Sequence, residues 1–502
     1  MFGFYAFGTA PFSGFPLSLG TAYVEQVIYA ASEAFTTGPD DADVPNTYFD
    51  GRIRRALTFE RSILGPNGIG GSASVGLGDI ELENSDGEYD GIVSTHAIDG
   101  RRVTLRLGDP DSGFDFGDFG VIFDGTASGW SLTSSSVLVS LRDWAIELEQ
   151  PVALNFYGGS GGADGTADIA GKAIPQAFGR CLNVPGVLVN PLASLVQFHD
   201  GPMQAIDKVY DSGVELPDTG TYYTRNLTTG TITMLVAIAG QITADVRGAK
   251  PGGTYINKTA DIVKAIVTAS LGWTDDDLNL PSFAAVNTKQ PAEIGIYFAD
   301  DISVKGAVDA LMVGIGGYRS FTRTGLLDIG VFEAPGGLSV TGFTEVEIIG
   351  ELARIDGPAQ FAVPAWRQRV GYQRNWTVQT SGIASGVSAA RLAFLSQDYR
   401  YAGAHDNAIK TAFLLARDAD PVPAFFANQS DAETEALRLL TLYEVPRALY
   451  QGRVKTQPFT LDLAAGVDLT YPRWDLKYGR ATRAVSIRDD GSNNEVELTV
   501  FA

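Results

Sequence analysis

The stretches "RRVTLRLGDPDSG" (101–113), "GVIFDGTASGW" (120–130) and "SVLVSLRDW" (136–144) decide the fold class. Each alternates apolar and polar residues, and clusters of Gly, Asp and Asn lie between such stretches. A period of two marks a strand with one buried face, and such clusters mark tight turns. "RALTFERSI" (55–63) and "GDIELENSDGEYDG" (78–91) repeat the pattern upstream. Short strands at this spacing predict a barrel or sandwich over residues 48–157.

Beyond this block "YGGSGGADG" (157–165) reads as a flexible crossing. It opens a segment, 158–224, of linker and β-hairpin. In "FHDGPMQAIDKVYDSGVEL" (198–216), Asp211-Ser212-Gly213 predicts a three-residue hairpin loop in which glycine takes the left-handed conformation. Helices enter only at 225–339, an α+β segment. "TADIVKAIVTASLG" (259–272) places Ile262, Val263, Ile266 and Val267 on one face, and Gly272 ends it. "SVKGAVDALMVGIGG" (303–317) does the same with Val304, Val308, Leu311, Met312 and Ile315.

From 340 to 502 strands return in "TEVEII", "RQRVGYQRNWTVQ", "VDLTYPRW" and "EVELTVF". Between them "SDAETEALRLLTLYEVP" (430–446) predicts one helix. Ser430 and Glu433 fit a capping box, Leu437, Leu440 and Tyr443 line a face, and Pro446 stops it. The fold expected is mainly β with an α+β segment. Residues 1–47 read as an N-terminal arm. Its Phe2, Phe4, Tyr5, Phe7, Phe12 and Phe15 stand among glycines and prolines that exclude a helix, so the arm is expected to bury on a neighbouring chain.

Composition limits the function. A chain of 502 residues supports roughly two to four domains. The net charge of -22 argues against a protein that grips nucleic acid, because binding phosphates needs Lys and Arg to displace counterions. One cysteine, Cys181, excludes an internal disulfide framework, and His96, His199 and His405 lie too far apart in sequence for a His-rich metal motif. The N-terminus has no basic residue ahead of its apolar part, and no later run of about 18 apolar residues occurs, so neither a signal peptide nor a membrane-spanning helix is expected.

No constellation survives as a catalytic, cofactor or metal site. His199-Asp200 has the makeup of a general base with its carboxylate, but neighbours on an extended chain point to opposite sides and Gly201-Pro202 is turn chemistry. "GGSGGADGTADIAGK" (158–172) lacks the Lys-Ser/Thr of a phosphate loop. "GIGGSASVGLGD" (68–79) lacks the strand before and helix after a dinucleotide site. The acidic turns carry Asn84, Asp86, Glu88 and Asp90; Asp109, Asp111, Asp115 and Asp118; and Asp275, Asp276 and Asp277. None has the calcium spacing of an EF-hand. Basic clusters, Arg52, Arg54, Arg55 and Arg61, and Arg367, Arg369 and Arg374 with Trp366, Tyr372 and Trp376, read as strand faces that pair with acidic neighbours.

"GKAIPQAFGRCLNVPGVLVNPLASLVQFHDGPMQAIDKVYDSGVEL" (171–216), "ITADVRG" with "TADIVKAIV", and "VPAWRQRVGYQRNWTVQ" (363–379) resemble segments of the tail hub proteins of tailed bacteriophages and gene-transfer particles. "SVGLGDIELENSDGEYDG" and "LTYPRWDLKYG" resemble turns of the same proteins. The resemblance keeps its order from about residue 48 to the C-terminus. It implies two tube-like β-barrel domains, here 48–157 and 340–502, with smaller domains inserted or attached, assembled as a homotrimer at the distal end of the tail. It implies a virion structural protein that adapts a six-fold tube to a three-fold tip. Its partners would be tube proteins, tip or fibre proteins, and DNA in transit, with no cofactor, no active site and no stable membrane insertion. Assembly would take place in the bacterial cytoplasm. A tail-associated cell-wall-degrading enzyme and a receptor-binding adhesin are the alternatives.

Overall fold

The computed structural model describes residues 2–7, 26–65, 68–69, 76–109, 115–153, 155–358, 361, 363–455 and 458–502. Strand accounts for 39% and helix for 20%, so the chain is mainly β with α+β parts. Thirteen strands among the described residues form one sheet. From one end it runs Tyr29–Ala31, Phe2–Phe7, Arg102–Leu107, Gly120–Leu132, Ser136–Arg142, Leu77–Glu83 and Ile53–Ser62. It continues through Arg480–Asp490, Glu495–Phe501, Leu449–Val454 and Ile348–Ile355. Gly466–Leu469 branches from the first half of Arg480–Asp490 and carries Thr341–Phe343, its parallel neighbour.

The two β-rich ends of the chain therefore meet. Ile53–Ser62 and Arg480–Asp490 pair antiparallel, from Ser62 opposite Ser486 to Thr58 opposite Asp490. Alternation puts Leu57, Phe59, Ile487 and Val485 in the interior, and one continuous apolar core holds them with Ile80, Val103 and Val139 from one side and Val467, Leu498 and Val500 from the other. Within the arm, the strand Phe2–Phe7 pairs through its backbone with Tyr29–Ala31 and Arg102–Leu107 of its own chain. Phe12 and Phe15 lie outside the described residues.

Between these halves sits a five-stranded sheet in the order Val214–Leu216, Met203–Asp211, Ile242–Ala249, Gln176–Pro185, Gly295–Phe298. The expected hairpin is present, but its loop has two residues. Asp211 pairs with Val214, and Ser212 and Gly213 both take positive φ, 51° and 82°, as a type I′ turn requires. The helix Thr259–Leu271 buries Ile262, Val263, Ile266 and Val267 and ends at Gly272 with φ 71°. Val304–Gly314 buries Val304, Val308, Leu311 and Met312, and Ile315 just past its end is also buried. A third helix, Leu280–Lys289, gives no periodic signal because only Phe283 and Val286 are buried in it.

Two C-terminal readings are corrected. The helix Gln429–Tyr443 starts before the proposed capping box; Asn428 stands at its N-cap, and Leu437 faces solvent. Its buried face is Ala432, Glu435, Ala436, Leu439, Leu440 and Leu442, so small residues let the helix sit close to its neighbours where the largest apolar side chains had seemed the guide. "TEVEII" opens as a turn, with Glu347 accepting from the Thr344 amide at 2.8 Å, and the strand begins only at Ile348.

The hairpin Gly317–Phe321 and Leu327–Val331 locks onto the seam between the two β halves. From its turn Arg323 donates to both carboxylate oxygens of Asp489, at 2.7 and 2.8 Å, and to the Leu461 carbonyl at 2.9 Å. The side chains are 5% and 1% exposed. Arg61, on the opposite seam strand, donates to the Phe321 carbonyl at 3.0 Å and to Asp462 at 2.8 Å. Gly325, with φ 79°, closes the turn where a Cβ would lie 2.8 Å from Trp144 Nε1. Truncating Arg323 to Leu leaves Asp489 buried without its partner and is expected to cost about 3–5 kcal/mol in guanidinium unfolding. Replacing both residues with Leu recovers most of that loss, which the double-mutant cycle reads directly.

Candidate functional site

His199 is buried and hydrogen-bonded within the fold. It is 4% exposed, its Nδ1 accepts the Ala177 amide at 3.0 Å, and its carbonyl accepts Gln197 Nε2 at 3.1 Å. Burial pushes its pKa down to about 4, against a smaller opposing effect of the Pro202 carbonyl, so the ring is neutral and Nδ1 is an acceptor. Asp200 turns away to take a hydrogen bond from Asn155 at 2.8 Å. The imidazole thus joins Gln176–Pro185 to the neighbouring sheet of Leu195–Gln197 and Thr231–Met234.

The glycine-rich stretch is filled from within. Asp164 accepts the amides of Gly158 and Ser160 at 2.9 and 3.1 Å, together with the Ser160 hydroxyl, and so occupies the donors a phosphate would need. Residues 70–75 of the second glycine-rich stretch, and Asp111, lie outside the described residues. Several residues of the acidic turns are bound within the fold. Asn84 accepts the Tyr89 amide at 2.8 Å and donates to Asp90, and Asp86 takes a two-pronged contact from Arg52 at 2.8 and 2.6 Å. Asp115 and Asp118 cap one short 3-10 turn, and Asp277 with Thr274 caps another. Among the described residues no three His, Cys, Asp or Glu side chains converge as metal ligands.

Both basic clusters face carboxylates. Arg54 meets Glu81, Arg55 meets Asp79 and Glu81, and Arg367 and Arg369 share Asp418. Arg374 lies 4.0 Å from the Trp376 ring centre and 3.5 Å from Asp398. Trp376 is thus covered by Arg374, and Trp366 by Arg367 and Lys410.

What the structure brings together is an outward surface at the branch of the large sheet. Among the described residues Thr341–Phe343 pairs on one side only. Around it Leu338, Val340 and Val346 are 99%, 68% and 89% exposed, and the adjoining loop presents Tyr478 at 90%. That loop is rigidly braced. Trp474 takes φ 55°, a costly conformation for a bulky residue, held by stacking on Tyr471 with centroids 5.7 Å apart and by Tyr450 at 5.5 Å. Tyr450 donates to Asp475 at 2.7 Å, and Arg480 pairs with the same carboxylate. An unpaired strand edge ringed by exposed apolar side chains is the signature of a contact surface. Sequence reading missed it because exposure is a tertiary property; "LTYPRWDLKYG", dense in aromatics, was the available signal.

No family model matches the chain, and no curated protein matches it. Among solved structures it is similar to a tail protein from Neisseria meningitidis MC58, with 10% identity over 90% of this chain and 92% of that one and a TM-score of 0.42. A prophage MuSo2 43 kDa tail protein from Shewanella oneidensis gives 11% identity, coverage of 91% and 95%, and a TM-score of 0.38. A chain in the virion of a native gene transfer agent particle gives 13%, coverage of 66% and 84%, and 0.45. The structural neighbours are thus phage-type tail proteins.

The depressed pKa of His199 sets a pH dependence. The unfolded chain takes up a proton near pH 6.5 that the folded chain refuses until about pH 4. The associated stability is present above 6.5 and is lost as pH falls through that window, by about 3 kcal/mol in total. His199→Asn, which keeps an acceptor for Ala177, is expected to be less stable at pH 7.5 but to lose less between pH 6.5 and 4. Chemical unfolding across that range measures the difference.

Proposed function

We propose that this chain is a structural hub of a phage-type tail, assembled as a homotrimer at the distal end of the tail tube and forming part of the DNA conduit. The observation that carries the reading is the pairing of Ile53–Ser62 with Arg480–Asp490. It sets two β-rich units, one from each end of the chain, side by side in a single sheet. Three such chains in a ring present six units, which is what a six-fold tube needs from a three-fold adaptor.

The order-preserving sequence resemblance supports the same role, and so does the charge. A passage for DNA works best when it repels phosphates, and a chain at -22 has acid available to line one. The exposed surface around Thr341–Phe343 supplies a contact for subunits or for neighbouring tail proteins. The chemistry of the site is that of adhesion between proteins, without an assigned catalytic group.

Sedimentation of the purified chain is expected to give a trimer, and a particle reconstruction an acidic three-fold lumen. A monomer, a six-copy ring or a lumen lined by Arg and Lys overturns the reading. Val346→Asp with Tyr478→Asp is expected to weaken self-association at least about tenfold, since central aromatic and apolar anchors carry most of an interface. The unfolding midpoint of the subunit should stay near that of the parent. Turnover of purified cell walls that one carboxylate substitution abolishes would instead establish the enzymatic alternative.

A further inference from the structure

A cavity of about 200 Å³ lies between the helix Leu280–Lys289, the hairpin Gly317–Phe321 and Leu327–Val331, and the C-terminal strands. That is room for a group somewhat larger than benzene. Val286, Ile329, Val331 and Phe332 give it apolar walls. Tyr318, 7% exposed, also lines it. Gly330 makes the room: a Cβ there would stand 2.3 Å from the Tyr318 oxygen. The Tyr318 hydroxyl therefore stands at the cavity surface, where it can donate to an occupant.

The charged lining says what. Lys289 and Arg483 both approach one carboxylate oxygen of Glu333, at 2.6 and 3.4 Å, which leaves two cations facing one anion. Arg483 is held in place by the Ala334 and Ala464 carbonyls, at 3.3 and 3.2 Å, and among the described residues its Nη2 has only the long contact to Glu333. A guanidinium, an ammonium and a phenol hydroxyl around an apolar floor match a carboxylate with a short hydrocarbon tail.

The geometry points to a binding site for an amphipathic monocarboxylate, its charged group at Lys289, Arg483 and Tyr318 and its tail against Val286, Ile329 and Phe332. The same chemistry occurs in a free short-chain acid and at the end of a polypeptide whose last residue is apolar. Occupancy would tie the helix Leu280–Lys289 to Ala464 and Arg483 of the C-terminal half. The inference stands apart from the assembly reading and survives or fails without it.

Calorimetric titration of the full chain tests it with hexanoate, 1-hexanol, and the tripeptide Gly-Gly-Leu as free acid and as amide. Hexanoate is expected to bind saturably, and 1-hexanol at least about tenfold more weakly, because the charge-assisted contacts are lost. Tyr318→Phe, which keeps the ring, and Lys289→Gln should each weaken hexanoate several-fold with little change in the unfolding midpoint. Tighter binding of the free-acid peptide than of hexanoate, lost in the amide, assigns the site to a chain terminus; the reverse order assigns it to a free acid. Absence of saturable binding by either carboxylate, equal binding of 1-hexanol, or hexanoate affinity unchanged in both variants overturns the proposal.

Discussion

The buried pair of Arg323 and Asp489 sits where three parts of the chain converge. Asp489 belongs to one seam strand, Arg61 to the other, and Arg323 to a hairpin of the intervening segment. Desolvating two charges is expensive, and the cost is offset only when geometry is good and the remaining donors find partners. Here Arg323 uses Nη1 and Nη2 on the carboxylate and Nε on the Leu461 carbonyl, so the pair is satisfied only when the hairpin is seated. Such a pair contributes less to net stability than to uniqueness of arrangement, because a displaced hairpin leaves a buried charge unpaired.

Much else follows from that seat. The hairpin whose turn carries Arg323 also supplies Tyr318, Ile329 and Val331 to the cavity, and the C-terminal strands that Asp489 anchors supply Arg483. The same strand, Arg480–Asp490, pairs along its first half with Gly466–Leu469 and so positions the branch that carries the exposed edge. One long strand thus serves the seam, the cavity and the outward surface. The large sheet is in this sense a frame, and the α+β segment is fixed to it at a few buried polar points on a mostly apolar contact.

The readings that held and those that moved differ in the range of the contact that decides them. Ile262, Val263, Ile266 and Val267 were legible because a helix with a wide apolar stripe announces its buried face locally. The helix Gln429–Tyr443 was legible as a helix but not in its orientation, since Ala432 and Ala436 approach the neighbouring strands and leave Leu437 outside. Of the candidate constellations, the turn after His199 was readable from Asp200-Gly201-Pro202, whereas the contact of its Nδ1 with the Ala177 amide was not. Tyr318, Lys289, Glu333 and Arg483 carried no motif at all; they lie on separate elements and meet only across the folded chain.

The sequence by itself determined the mainly β character, the strands of residues 53–62 and 102–142, three of the helices and the hairpin at Gly213, because each rests on a period or a backbone preference spanning a few residues. Tertiary structure alone decided that Ile53–Ser62 lies against Arg480–Asp490, where the Ser486 hydroxyl reaches the Arg61 carbonyl across 425 positions of chain. Strand edges are chemically alike, so alternation along a strand specifies which face is buried but not which partner lies beside it. That choice was made by the shared core on both sides of the seam and by a buried arginine from a third segment, neither of which any local stretch of residues encodes.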